Sequence, residues 1–209
     1  MIRSLAPVCI SLLVLLSCFT LQPDPMDLVD VCEMDSTILV ELAYATPNNF
    51  LGQAVYSSGD RCILRRFAAE RLVRAHQSLR KQGYGLKVLD AYRPLSVQEQ
   101  MWAILPDSRY VADPAKGSRH NRGAAVDVTL VDLAGNDVEM PTAFDEFSEK
   151  AASNYADLPR AALHHRSLLQ QAMQEQGFSP ISSEWWHFDA PGWEKCKVLD
   201  ISLQAVEVN

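Results

Sequence analysis

The sequence predicts an α+β fold built as one domain. Segments with helical and with strand periodicity are intermixed, without the regular strand–helix alternation of a parallel α/β protein. A hairpin signal, Ala134-Gly135-Asn136, separates two neighbouring strand-like segments. The chain has 209 residues and 48% of them are hydrophobic, so one sizeable core can form.

The predicted elements follow from periodicity and from the residues that begin or end helices. In chain order they are a strand over 38–44, a helix over 64–81, a strand over 85–91, a helix over 96–104, strands over 125–132 and 138–140 joined as a hairpin, a helix over 160–176 and a strand over 184–190. The first strand enters a turn at Pro47-Asn48-Asn49. Gly83 and Gly177 follow the two long helices, Pro159 precedes the second of them, and Ser96 opens the short one.

The strand over 125–132 and the segment before it carry two candidate metal ligands. Apolar residues at positions 126, 128 and 130 alternate with Asp127 and Thr129, so the two polar residues share one face. Residues 117–123 are rich in glycine and short polar residues and are predicted as a loop, which contains His120. A His-x6-Asp spacing also arises by chance, but a ligand loop beside a ligand strand gives rigid geometry.

Glu184 and His187 supply the remaining groups of a metal site. A catalytic zinc site uses three protein ligands and keeps a fourth position open for water, and a nearby carboxylate that does not touch the metal can act as the base. His120, Asp127 and His187 suit the first role, and Glu184 suits the second.

The spacing of Glu184 and His187 predicts an irregular strand. Residues three apart in a flat strand point to opposite faces, so we expect a bend or a twisted strand end at Trp185-Trp186. Each tryptophan ring either packs in the core or forms the wall of a dry pocket, in which electrostatic interactions are stronger.

Five sequence blocks carry a family resemblance. They are Tyr44-Ala45-Thr46-Pro47-Asn48-Asn49-Phe50-Leu51-Gly52, Asp90-Ala91-Tyr92-Arg93-Pro94, Ser118-x-His120-x-x-Gly123-x-Ala125-x-Asp127, Phe144-Asp145 and Glu184-Trp185-Trp186-His187. In this order they resemble the zinc D-alanyl-D-alanine dipeptidases of the VanX type, in peptidase family M15. The resemblance implies a central, mostly antiparallel sheet flanked by helices, similar to the Hedgehog and DD-peptidase proteins, and one Zn²⁺ per chain.

The resemblance also implies a role for individual side chains. His120, Asp127 and His187 match the zinc ligands, and Glu184 matches the general base. Arg93 matches the arginine that stabilises the tetrahedral intermediate. The residues that match the lining of the substrate site are Ser118, Asp145 and Tyr44, with Asp145 facing the free ammonium of the dipeptide.

Two of these residues have simpler interpretations from the sequence alone. Arg93 lies three residues after Asp90 and could form only a salt bridge with it. Asp145 and Glu146 could be a solvated helix entry, which the positive end of the helix dipole would favour.

The implied function is hydrolysis of D-Ala-D-Ala or similar D,D-dipeptides, in turnover of cell-wall precursors or in glycopeptide resistance. A D,D-carboxypeptidase acting on longer wall peptides is one alternative, and it would need no site for a free ammonium. A non-catalytic zinc-binding module is another, although a structural zinc would need neither Glu184 nor Arg93. The net charge of −7 without a basic stripe argues against nucleic acid as a partner. The resemblance implies a small D,D-dipeptide as the partner.

The N-terminus is predicted to be an export signal over residues 1–17. Arg3 precedes an apolar stretch that is short for a membrane span. Leu15-Leu16-Ser17-Cys18 resembles a lipobox, which implies lipid attachment at Cys18 and membrane attachment through that lipid only; plain signal cleavage nearby is the alternative. Residues 18–27 then form a tether and residues 28–209 the catalytic domain, in the periplasm.

The other cysteines of the exported chain are Cys32, Cys62 and Cys196. In an oxidising periplasm two of them could pair, and the sequence does not choose among the pairings. No Cys-x-x-Cys spacing is present, so they are not assigned to metal.

Overall fold

A computed structural model describes residues 24–206 and has the predicted α+β fold. In chain order its elements are β1 (Leu28–Asp30), α1 (Val31–Met34), β2 (Leu39–Val40), β3 (Ile63–Arg65), α2 (Arg66–Arg80), β4 (Tyr84–Asp90), α3 (Leu95–Ile104), β5 (Ala125–Asp132), α4 (Arg160–Glu175), β6 (Ser179–Pro180) and β7 (His187–Asp189). The predicted export signal, the lipid site Cys18 and most of the tether lie outside the described residues. None of the helices between residues 24 and 206 has the length and apolar character needed to cross a membrane.

A five-stranded sheet forms the centre of the fold, in the order β2-β4-β5-β7-β6. The β4–β5, β5–β7 and β6–β7 pairs are antiparallel, and β2 runs parallel to β4. The expectation of a mostly antiparallel sheet is therefore confirmed. Strands β1 and β3 form a separate antiparallel ribbon beside it.

Helices α2 and α4 build the main core against β4 and β5. Leu72, Ala75 and Leu79 recur on one side of α2 at helical spacing and are fully buried. Leu169 and Met173 of α4 join them in the same apolar cluster, together with the apolar face of β5. Burying one such leucine contributes roughly 1.5–3 kcal/mol, so this cluster anchors the sheet on which the polar face of β5 is presented.

Three tyrosines belong to a second apolar cluster. Tyr44, Tyr56 and Tyr92 are all buried. Their hydroxyls donate to Asp145, to Asp90 and to a carbonyl of the C-terminal segment, respectively. A buried tyrosine hydroxyl needs such a partner, so these rings connect apolar packing to the charged groups of a cavity described below.

The hairpin prediction is wrong for its second strand, residues 138–140. Asp132 accepts the backbone N–H of Ala134 and of Asn136, at 2.8 and 2.9 Å, and this closes the turn. Beyond one bridge between Val131 and Asp137, the segment 138–140 does not pair with β5. Its side chains pack against the main core instead, and His165 Nδ1 of α4 lies 2.8 Å from Glu139 O. Contacts with a distant helix thus outweigh local strand pairing.

Two other predicted strands are shorter than expected. Of residues 38–44, only Leu39–Val40 pairs, because the chain turns at Tyr44, whose carbonyl accepts the N–H groups of Val55 and Tyr56. Of residues 184–190, only His187–Asp189 is a strand, because the chain bends before it.

The three cysteines that could have paired are free in the structure. Cys32 is exposed, and Cys62 and Cys196 are buried. The described part of the chain therefore relies on packing, and no cross-link contributes to the fold between residues 24 and 206.

Candidate active site and metal centre

The strand register aligns three polar side chains across the sheet. Asp127 on β5 pairs with His187 on β7 and with Asp90 on β4. Residues opposite one another in paired strands point to the same face, so these three side chains share one surface. His120 reaches the same surface from a 3₁₀ turn that precedes β5, and its Nδ1 lies 2.7 Å from Ala91 O.

The side chains of His120, Asp127 and His187 meet at one point. His187 Nδ1 lies 2.9 Å from Asp127 Oδ1 and 3.1 Å from His120 Nε2, and His120 Nε2 lies 3.4 Å from Asp127 Oδ1. All three residues are buried. Ligand bonds of about 2.0–2.1 Å in a tetrahedron place neighbouring ligand atoms about 3.3–3.4 Å apart, so small shifts would suffice to hold a metal ion. The two imidazoles and one carboxylate therefore fit a divalent cation.

The electrostatics of these groups favour a positive charge between them. Burial opposes ionisation of Asp127, but the neighbouring imidazoles outweigh it and hold the pKa of this carboxyl well below its usual range. Burial also opposes protonation of His187, yet hydrogen bonds with Asp127 and Asp189 raise its pKa to about 10. A proton or a metal cation can supply the charge that the carboxylates attract.

Asp189 contacts the candidate metal site, although no sequence motif pointed to it. It follows His187 by two positions on β7, so both side chains point to the same face, and its Oδ1 lies 2.9 Å from His187 Nε2. This contact leaves Nδ1 facing Asp127, just as the Ala91 carbonyl leaves Nε2 of His120 free. Such partners orient metal-binding imidazoles. A His-x-Asp pattern within a predicted strand is the signal that could have revealed it.

Glu184 lies beside the three candidate ligands without joining them. Its Oε2 is 4.0 Å from His187 Nδ1. Burial raises the pKa of the Glu184 carboxyl, while His187 opposes that shift. A carboxylate with a raised pKa near a metal site is suited to accept and return a proton.

The expected bend at the two tryptophans is present, and the two rings take different positions. Trp185 and Trp186 form a bend before β7, and both are buried. Trp185 Nε1 donates to Thr142 Oγ1 at 2.9 Å, which anchors the ring in the core. Trp186 lines the cavity beside Glu184. Both rings therefore pack in the core, and Trp186 also forms part of the cavity wall.

Arg93 is bound to Asp90 and also lines the cavity. Its Nε donates to Asp90 Oδ2 at 3.0 Å, and its Nη1 donates to Gln98 Oε1 at 2.9 Å. The guanidinium carbon lies 5.1 Å from the centre of the Tyr44 ring. Burial opposes the charge, but Asp90 outweighs it and holds the pKa of Arg93 well above its usual value. A guanidinium has five N–H groups, so this salt bridge holds Arg93 in place without using all of its donors.

Asp145 lies in a turn that faces the cavity, so the prediction of a solvated helix entry is wrong. Tyr44 donates its hydroxyl to Asp145 Oδ2 at 2.9 Å. The backbone of Asp145 has φ 57°, in the left-handed region that few residues other than glycine, asparagine and aspartate adopt. Burial raises the pKa of Asp145 well above its usual value, and the Tyr44 hydrogen bond opposes this shift. A half-buried carboxyl that lines a cavity is suited to pair with a cationic group.

Ser118 is placed by the same loop that carries His120. Its backbone N–H donates to Asn121 Oδ1 at 2.7 Å, and its Oγ accepts the Asn121 N–H at 3.2 Å. Asn121 Nδ2 in turn donates to Arg93 O at 2.8 Å. The loop is thus tied to the strand end that delivers Arg93.

One cavity of about 460 Å³ brings these groups together. Its volume lies in the range that binds small molecules. Every predicted site residue that the structure describes lines it: Tyr44, Arg93, Ser118, His120, Asp127, Asp145, Glu184 and His187.

Comparisons with known proteins identify relatives of this chain. The family model described as D-ala-D-ala dipeptidase, Peptidase_M15, matches residues 24–203. A D-alanyl-D-alanine dipeptidase of Escherichia coli (strain K12) is 39% identical over 168 residues, which cover 80% of this chain and 86% of that protein. A D-alanyl-D-alanine dipeptidase of Enterococcus faecium is 30% identical over 165 residues, covering 69% and 82%.

A solved structure with some similarity is that of the LdcB LD-carboxypeptidase, reported with the molecular basis of peptidoglycan recognition. It is 19% identical, covers 90% of this chain and 81% of that chain, and has a TM-score of 0.46.

Proposed function

The chain belongs to the D-alanyl-D-alanine dipeptidase family of peptidases, and from this premise we propose that it is a zinc enzyme that hydrolyses D-Ala-D-Ala with Glu184 as the general base. The observation that carries the proposal is the meeting of His120 Nε2, Asp127 Oδ1 and His187 Nδ1 within 3.4 Å, beside Glu184. A ligand set of two imidazoles and one carboxylate is typical of catalytic zinc, whereas structural zinc sites commonly use four ligands with several thiolates.

His120, Asp127 and His187 would hold the zinc ion. When bound, zinc would polarise the scissile carbonyl and lower the pKa of a water molecule to about 7. Asp189 and the Ala91 carbonyl would keep the two imidazoles in the orientation required for binding.

Glu184 would move the protons of the reaction. Its carboxylate would accept a proton from the attacking water and then transfer it to the nitrogen of the departing D-alanine. Burial raises its pKa, which favours the first of these transfers, because a more basic carboxylate takes the proton from water more readily.

Arg93 would stabilise the negative charge that develops on the scissile oxygen. Its hydrogen bonds to Asp90 and Gln98 hold it beside the cavity, so it needs no reorganisation during the reaction. Losing one such donor typically costs on the order of a hundredfold in rate.

Asp145 would pair with the free ammonium of the dipeptide, and Tyr44 would orient Asp145 through its hydroxyl. Ser118 would contact the substrate from the loop that carries His120. A substrate ammonium restores the charge balance that burial of Asp145 disturbs, which supports a dipeptide over a longer peptide with a blocked amino group.

We place this reaction in the periplasm, with the export signal over residues 1–17 removed and Cys18 lipidated. Turnover of wall-precursor dipeptides and removal of them in glycopeptide resistance both suit the chemistry.

The test is alanine release by the purified, zinc-loaded protein. We expect release from D-Ala-D-Ala and little from N-acetyl-D-Ala-D-Ala. Glu184→Gln should lose at least a hundredfold in kcat yet still bind one zinc per chain, because Glu184 is not a ligand. Preference for the acetylated substrate would indicate a carboxypeptidase, and zinc binding without release from either would indicate a non-catalytic module.

A further inference from the structure

Glu184 and Arg119 lie on opposite sides of the His187 side chain. Glu184 precedes His187 and approaches its Nδ1, whereas Asp189 follows it by two strand residues, roughly 6–7 Å further along. Asp189 Oδ2 lies 3.4 Å from Arg119 Nε. Asp145 and Glu184 line the same cavity. Nδ1 of His187, which faces the candidate metal position, is thus on the Glu184 side of the ring, and Arg119 is on the Nε2 side.

A free dipeptide carries charges that match this arrangement. Its ammonium is at one end, its carboxylate is at the other, and the scissile bond lies between them. With the ammonium at Asp145 and the peptide carbonyl beside His187, the carboxylate extends towards the end of the cavity that Arg119 lines.

Arg119 is held in one orientation although it is partly exposed. Its guanidinium carbon lies 4.7 Å from the centre of the Trp193 ring, and Asp189 contacts its Nε. The side chain is 44% exposed, and neither of its Nη groups has a hydrogen-bond partner among residues 24–206. A stacked guanidinium whose outer edge is open matches the two oxygens of a carboxylate.

The other cations that line the cavity are less suitable. Arg109 Nε already donates to both carboxylate oxygens of Asp107. Arg122 donates Nη1 to Cys196 O at 2.6 Å. Lys116 is exposed at the rim, and its single ammonium on a flexible stem lacks the planar fork.

We propose that Arg119 binds the C-terminal carboxylate of the substrate and restricts this enzyme to dipeptides with a free carboxyl terminus. The inference rests on the proposed function and names the residue that recognises the second end of the same substrate. Asp189 then has two roles, since one of its oxygens orients His187 and the other orients Arg119.

The test compares D-Ala-D-Ala with D-Ala-D-alaninamide in the zinc-loaded protein. The wild type should cleave the amide with a lower kcat/KM. Arg119→Met should raise the KM for the free dipeptide by roughly 10- to 100-fold, as expected for loss of a charged hydrogen bond, with little change for the amide. Arg119→Lys, which keeps the charge without the fork, should give an intermediate KM.

Two controls separate carboxylate binding from other effects. Lys116→Met removes the same charge from the same rim and should retain the discrimination between the two substrates. Zinc affinity of Arg119→Met should equal that of the wild type, which excludes an effect transmitted through Asp189 to His187.

The inference is overturned if Arg119→Met lowers kcat/KM equally for both substrates, or if Lys116→Met reproduces its effect. In those cases the wild type still cleaves D-Ala-D-Ala and the proposed function stands. If the wild type cleaves neither substrate, the proposed function and this inference are both wrong.

Discussion

Asp189 contacts His187 on the side opposite the candidate metal position, and this single contact decides which ring nitrogen faces the metal. Asp189→Ala should therefore weaken zinc binding by about 10- to 100-fold. Asp189→Asn should weaken it less, because the amide oxygen can still accept a hydrogen bond from Nε2. Competition with a chromophoric chelator at constant pH measures both affinities.

Asp137→Ala is a matched control for loss of an acidic side chain, because Asp137 pairs with Lys87 at the surface. Its zinc affinity should not change. Wild-type affinity in Asp189→Ala would show that the orientation of His187 does not depend on this carboxylate.

Asp145 illustrates a conflict between stability and binding. Burial raises the folded-state pKa of Asp145, so folding disfavours the ionised carboxylate. The resulting loss in the free energy of unfolding is absent below the unfolded-state pKa and is fully present above the folded-state pKa. The positive φ of Asp145 adds strain that asparagine tolerates better. Asp145→Asn should raise the free energy of unfolding by about 0.5–2 kcal/mol at neutral pH, measured by urea denaturation without substrate.

The same substitution should raise the KM for D-Ala-D-Ala, since the ammonium loses its counter-ion. The stability difference between Asp145→Asn and the wild type should shrink as the pH falls, because the wild-type carboxyl becomes neutral. A difference that does not change with pH would point to the backbone conformation as its sole cause.

At the scale of an element, the loop over 117–123 positions Ser118 and His120 through a tight backbone path. Gly117 has φ +69°, and a Cβ there would lie 2.7 Å from Val198 Cγ2. Gly117→Ala should therefore destabilise the protein by about 2–4 kcal/mol, the sum of backbone strain and a clash with a stiff side chain. It should also reduce activity, since the loop must shift. Thermal unfolding and dipeptide hydrolysis measure the two effects.

Gly52→Ala is the control for backbone strain. Gly52 has φ +66°, and a Cβ there would meet nothing within 4 Å. It should cost only about 1–2 kcal/mol. Equal losses in the two variants would mean that Val198 moves aside without cost.

At the scale of the whole molecule, the C-terminal segment ties separate parts of the chain together. Leu199 accepts the N–H of Leu95 at 3.1 Å and donates its own to Asn121 O at 2.8 Å. Tyr92 binds the same segment, since its hydroxyl donates to Ile201 O at 3.0 Å and accepts the Ile201 N–H at 2.8 Å. The segment therefore connects α3, the loop of His120 and the end of β4.

Tyr92→Phe removes both hydrogen bonds to Ile201 without changing the ring. It should lower the free energy of unfolding by about 1–3 kcal/mol, because two backbone groups lose their partner. Urea denaturation measures the change. Tyr110→Phe is the control, since Tyr110 is 37% exposed and its hydroxyl can bind water. A loss in Tyr92→Phe no larger than in this control would show that water replaces the tyrosine.

The class of fold, the long helices, the strand that carries Asp127 and the residue types of the candidate metal site could be predicted from the sequence. These features follow from local periodicity and from motifs that can be recognised along the chain. The tertiary structure brings Asp189 and Arg119 to the site and places Asp145 in a turn with positive φ. It also decided that three predicted strand segments are shortened or unpaired. These features depend on which distant segments pair and pack, and a pattern along the chain does not contain that information.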